Sequence, residues 1–170
     1  MLRDDKMKRY NNEEFYNIIN DILLNKEFDE LKKIDHHGIT RHEHCLRVAY
    51  YTYIVTKAMH LNYKEATIAA LLHDFFTDEV KEKNGFMRLI KHPNIALINA
   101  KKYYHLTPLQ EDIIKTHMFP VTILPPKYLE SWLVDIIDDF SAIYEKTKST
   151  KNELSTAITF LFIVFIEFFK

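Results

Sequence analysis

The chain has 170 residues with 23 basic against 24 acidic side chains, a length that suits one domain with a core able to fold unaided. An apolar fraction of 47% excludes disorder, and balanced charge without a basic block gives no footing for nucleic acid binding through phosphate neutralisation. With Gly38 and Gly85 the only glycines, neither a phosphate-cradling P-loop nor a dinucleotide fingerprint can be written, and repeated capping signals point to an all-α domain.

The opening stretch, MLRDDKMKRY, lacks the apolar core of a signal peptide. Asn11 and Glu14 have capping-box spacing and open a first predicted helix with Phe15, Ile18, Ile19, Ile22 and Leu23 on one face. A charged, looser stretch runs to Lys33, and residues 1–34 are expected to form an N-terminal helical extension. A histidine-dense passage, IDHHGITRHEH, follows with His36, His37, His42 and His44. Gly38 permits a turn there, and Thr40 can cap the next helix.

That helix reads HEHCLRVAYYTYIVTKAMH, with Cys45, Val48, Ala49, Thr52, Ile54, Val55 and Ala58 as a broad buried stripe. Cys45 is the only cysteine, which excludes internal disulfides and Cys-rich zinc sites and makes a reducing cytoplasm the expected compartment.

The stretch Asn62 to Asp74 reads NYKEATIAALLHD. Asn62 and Glu65 again have capping-box spacing, and the run from Ala66 to Leu72 is apolar nearly all round, as in a helix inside a domain. His73 and Asp74 stand at its end. An imidazole and a carboxylate out of water cost several kcal/mol unless they are paired or bound to a cation. That cost makes the other histidines and acids of the chain candidate partners.

After the pair, FFTDEVKEKNGFMRLIK reads as a charged loop around Gly85, a rim or lid over a site. His92-Pro93 marks a helix start, and the predicted helix covers Asn94 to Tyr104. Thr107-Pro108-Leu109-Gln110 is another capping box, opening a helix that runs through Ile113 and Ile114 to His117, with Pro120 as its stop. Beyond Pro125-Pro126, LESWLVDIIDDFSAIYEK predicts a helix with an apolar stripe of Trp132, Leu133, Ile136, Ile137, Phe140 and Ile143. Asp135 and Asp138 share a face at spacing i, i+3, whereas Asp139 points about 100° away from Asp138 and reads as solvated. Thr150 and Glu153 cap a last predicted helix ending AITFLFIVFIEFFK, shorter than the ~20 residues of a membrane span. Residues 147–170 are expected to pack on the body or to form a homodimer contact, with peripheral membrane attachment as the lesser alternative.

Read in order, the candidate ligands are His44, His73, Asp74, His92, His117 and Asp138, each on or beside a different helix except the adjacent pair. The strings HEHCLRVA, ALLHDFF, KHPNIALINA, IIKTHMFPVT and ESWLVDIIDDFSAIYE together resemble the HD-domain superfamily of metal-dependent phosphohydrolases, and most closely its small, stand-alone bacterial members. The resemblance covers about Asp35 to Glu145, and the domain is drawn at 35–146. It implies a single compact helical bundle with a metal site between helices. It implies that His44, His73, Asp74 and Asp138 bind one ion, with Asp138 favoured over Asp135 by register. His92 and His117 match histidines that hold a second ion in binuclear members. Lysine commonly follows the last aspartate of the family motif, and Asp139 stands there instead, removing a positive charge next to the expected substrate pocket. The GYP elements of the cyclic-di-GMP-cleaving subfamily are absent, so that substrate is not implied.

Imidazole and carboxylate ligands suit Fe, Mn, Co, Ni or Zn. Asp74 is the natural carboxylate to bridge two ions, and His73-Asp74 is the expected catalytic pair. A hydroxide held by the metals would attack the phosphorus of a small phosphate mono- or diester, nucleotides among them. His36, His37, Arg47 and Arg88 are candidates to steer an anionic substrate. Two other readings use the same ligands: a mixed-valent di-iron oxygenase, and a non-enzymatic metal-containing ligand sensor.

Overall fold

A computed structural model describes residues 10–36, 38–77 and 85–149, with the side chains of 148 and 149 left aside. The expected C-terminal helix, the segment 78–84 and His37 lie outside the described residues. The fold is all-α. Its helices are α1 (Glu13–Leu23), α2 (Lys26–Asp29), α3 (Arg41–Ala58), α4 (Tyr63–Leu72), α5 (Gly85–Tyr103), α6 (Pro108–Thr116) and α7 (Leu129–Ser149). A 3-10 turn, Glu30–Lys33, follows α2, and β1 (Asp35–His36) pairs antiparallel with β2 (Ile39–Thr40).

The centre is α4, which packs against α1, α3, α5, α6 and α7. Ala66, Ala69 and Ala70 let these neighbours approach closely, while Leu71 and Leu72 fill the space between them, all five fully buried. Phe15 and Ile19 of α1, Phe28 of α2 and Leu31 of the 3-10 turn join the same core as α3, α4 and α6.

Several element starts follow the predicted chemistry. Thr40 caps α3 and Thr107 caps α6, each in a complete capping box, with Glu43 and Gln110 as the returning side chains. Gly38 sits at φ 85° in the β1–β2 turn, a conformation that costs glycine little.

Other starts differ from expectation. Asn12, not Asn11, caps α1, its side chain accepting from the Phe15 N–H at 3.0 Å. Glu14 is drawn off instead by hydroxyls of Tyr53 at 2.7 Å and Tyr63 at 2.8 Å and by the Lys57 ammonium. At α4 no capping box forms. The Asn62 side chain donates to Glu65 at 2.9 Å, and Glu65 accepts from the Thr107 hydroxyl, tying the start of α4 to that of α6. The stretch expected to be loose up to Lys33 is instead α2 and the 3-10 turn, capped by Asn25 and anchored by Phe28 and Leu31.

Pro93 does not open a helix: it lies inside α5, whose first turns from Gly85 replace part of the expected lid. Proline there takes the N–H partner from the Leu89 carbonyl and crowds that carbonyl with its ring, yet α5 continues through it to Tyr103.

The buried face of α7 also differs from the predicted stripe. It carries Ser131, Val134, Asp138, Ser141 and Glu145, at intervals of three and four, beside Leu133 and Ile137. Trp132, Ile136 and Ile143 face outward. Trp132 stands edge-on to Phe119 with ring centroids 5.2 Å apart. Among the described residues no helix is long and apolar enough to cross a membrane.

Candidate metal centre

Two of the histidines sit where a helix ends. His73 is the C-cap of α4 and His117 the C-cap of α6, and each folds its ring back onto its own last turn. The Nδ1–H of His73 donates to the Ala70 carbonyl at 2.7 Å, and that of His117 to the Ile114 carbonyl at 2.8 Å. His92, in the middle of α5, donates from Nδ1 to the Arg88 carbonyl at 3.1 Å. A carbonyl can only accept, so each of these rings carries a proton on Nδ1 and turns Nε2 the other way.

All of these Nε2 atoms point at two carboxylates. His44 Nε2 lies 2.8 Å and His73 Nε2 3.4 Å from Asp138 Oδ1. His92 Nε2 lies 3.2 Å and His117 Nε2 3.7 Å from Asp74 Oδ1. The His73 ring bridges the two halves, its centroid 5.3 Å from that of His44 and 4.9 Å from that of His117. All six side chains are buried. Asp138 reaches the histidines and Asp135 does not: Asp135 accepts from the Phe119 N–H at 3.1 Å. Burial and the neighbouring Asp139 and Asp138 push its carboxyl up to about 7. Asp139 is exposed, as expected of a solvated face.

The ionisation of the cluster follows from this geometry. Burial opposes a charged His44, but Asp138 and Glu145 outweigh it and hold the imidazolium up to about 10. For His73, Asp138 and Asp74 likewise overcome burial. His117 goes the other way, down to about 3, because burial is reinforced by His73 and His92. Burial works against ionised Asp74 and Asp138, yet the surrounding imidazoles hold both below the usual carboxylate range, with Arg41 adding to the effect at Asp74.

Two groups that were not expected, Arg41 and Glu145, and one expected substrate-steering residue, His36, complete the surroundings. Arg41, at the start of α3, donates to the Phe76 carbonyl at 2.6 Å, lies 3.8 Å over the Phe76 ring and places Nε 3.7 Å from Asp74 Oδ2. Glu145, with a fully buried side chain, meets His44 Nδ1 at 3.0 and 3.2 Å. The His36 ring lies 4.3 Å from that of His44. A sequence signal for Glu145 did exist: it stands seven residues after Asp138 and so on the same face of α7. Arg41 offers none beyond its closeness to His44.

The expected substrate cations are placed less uniformly. Arg47 is buried with its guanidinium held by Glu145, so it is engaged behind His44 and not presented to a ligand. Arg88 is exposed one turn before His92.

The donor set fits divalent metal. Oxygen and nitrogen atoms of His44, His73 and Asp74, of His73, His117 and Asp138, and of Asp74, His92 and His117 lie within 4.8 Å of one another in each trio. Asp74 Oδ1 and His73 Nε2 are buried with no well-formed hydrogen bond, only ion-pair contacts at 3.2 to 3.7 Å, a costly state that a bound cation would relieve.

An all-helical bundle with buried histidines and aspartates converging from five helices defines a protein with a candidate metal site. Residues 41–143 match the family model described as HD domain, and the chain belongs to that family, whose members bind divalent metals and are mostly metal-dependent hydrolases. No curated protein and no solved structure matches the chain.

Proposed function

We propose that the chain is a phosphohydrolase acting on a small phosphate mono- or diester, nucleotides among them. The observation that carries this reading is the place of Asp74, whose carboxylate takes part in one donor trio with His44 and His73 and in another with His92 and His117. Two ions would be held there, one by His44, His73, Asp74 and Asp138 and the other by Asp74, His92 and His117. Bound Fe, Mn, Co, Ni or Zn would polarise water and phosphoryl oxygens and take up charge developing on them.

The residues of the chain supply the rest. Backbone carbonyls at Ala70, Arg88 and Ile114 hold three imidazoles with Nε2 inward, so no reorientation is needed when a ligand arrives. Arg41 forms a 3.7 Å ion pair with the outer oxygen of Asp74, which leaves the inner one to the site. His73 and Asp74 are the pair on which turnover depends. Arg88, exposed beside His92, meets the anionic substrate, and His36 borders the site at His44.

The test is a screen of the metal-reconstituted protein against nucleotides and a chromogenic phosphodiester. Phosphate or phenolate release is expected, with loss on chelation and in His73→Ala and Asp74→Asn variants whose circular dichroism matches the parent. Turnover that survives both substitutions overturns the proposal. Substrate-dependent oxygen uptake without phosphate release would move the assignment to the oxygenase alternative.

A further inference from the structure

Of the cluster's four histidines, three fix their rings on carbonyls of their own helices, and His44 does not. Its Nδ1 faces both oxygens of Glu145, a residue of α7, while its Nε2 faces Asp138 of the same helix. Asp138 and Glu145 are two turns apart on one face, so a single rigid element sets both ends of the His44 ring. On the far side, Arg47 pairs with Glu145 from one turn along α3, and its guanidinium lies 5.4 Å over the Tyr144 ring. A fully buried carboxylate is costly unless paired, and here it is paired to a cation on one side and a ring N–H on the other.

We propose that Glu145, backed by Arg47, is a positioning residue that fixes the tautomer and orientation of His44 and thereby sets the affinity of the His44 ion site independently of the site at His92 and His117. The inference rests on the metal-centre reading above. A carboxylate only accepts, so Glu145 keeps a proton on Nδ1, and the proton that an entering ion displaces is the one Nε2 shares with Asp138. The negative charge behind the ring also makes that nitrogen a stronger donor than an imidazole backed by a carbonyl. The histidines are thus backed differently, His44 by a buried charge pair and His73, His92 and His117 by backbone carbonyls.

The experiment titrates Co(II) into the metal-stripped full-length chain, following visible absorption and calorimetry. The parent is expected to take up two ions. Glu145→Gln should weaken one of them about 10–100-fold and leave the other at the parental value. Because Gln leaves Arg47 buried opposite a neutral partner, a second variant, Glu145→Gln with Arg47→Met, is measured alongside. In that variant the urea midpoint of the metal-free protein should recover while the weakened Co(II) affinity does not. Parental affinity for both ions in Glu145→Gln, or affinity that returns together with the urea midpoint in the double variant, overturns the inference and leaves the metal centre standing. A parent chain that binds no Co(II) overturns the metal-centre reading and this inference with it.

Discussion

His92 and His117 meet nitrogen to nitrogen, Nε2 to Nε2 at 2.9 Å, with both rings anchored at Nδ1 by backbone carbonyls. Two lone pairs so placed repel unless a proton or a cation lies between them, and Asp74 Oδ1 is the third atom facing that space. Removing one of these imidazoles should cost one ion and not both. His92→Gln and His117→Ala are each expected to lower the metal content of reconstituted, desalted protein from two ions per chain to one, measured by elemental analysis. Loss of both ions, or retention of both, would count against a divided site.

Metal binding should become stronger as pH rises. His44 is held protonated up to about 10 by Asp138 and Glu145 against the effect of burial, so an ion entering at neutral pH must expel that proton. His117, held down to about 3, has none to lose. Calorimetry in two buffers of different ionisation enthalpy should therefore report proton release, and an enthalpy independent of buffer would contradict it. In the metal-free protein the same raised value gives a stabilising contribution that is fully present below the unfolded histidine's value near 6.5 and is lost as pH rises through about 10.

The central helix can be tested without touching a ligand. Leu71 is fully buried, two residues before His73. Leu71→Ala should lower the unfolding free energy by about 2–5 kcal/mol, read from urea denaturation, through lost burial and the cavity left behind. A change under about 1 kcal/mol would mean that the bundle does not close around α4 as described.

The cap of α6 should matter more than its size suggests. Thr107 accepts from the Gln110 N–H, and its hydroxyl donates to Glu65, joining the start of α6 to that of α4. Thr107→Ala is expected to cost about 1 kcal/mol from the cap alone. Because α4 and α6 deliver His73 and His117, the same change should also weaken metal uptake measured by titration. Thr107→Ser, which keeps the hydroxyl, should leave both near the parental value.

Much of this molecule could be read from residue order because its strongest signals are local. The capping boxes at Thr40 and Thr107 depend on side chains three residues apart, and the apolar run before His73 states its own burial. The cluster members His44, His73, Asp74, His92, His117 and Asp138 were legible through motif order, and the fold brings them together. What could not be read depends on partners distant in the chain. Asn62 and Glu65 have the right spacing for a box, yet Glu65 is taken by Thr107, 42 residues away. Glu14 is taken by Tyr53 and Tyr63 in the same manner. Arg47 read as a cation to steer substrate or to pair with an acidic neighbour, and its partner, Glu145, lies 98 residues on, beyond the reach of local patterns. Pro93 misled because proline is a common helix opener, whereas here the preceding turns of α5 were already formed.

Trp132 is the sole tryptophan of the chain, and its indole leans on Phe119, two residues beyond His117. Its emission is therefore a native optical gauge of the segment that follows the α6 histidine. Titrations of this protein can be followed by fluorescence without a label.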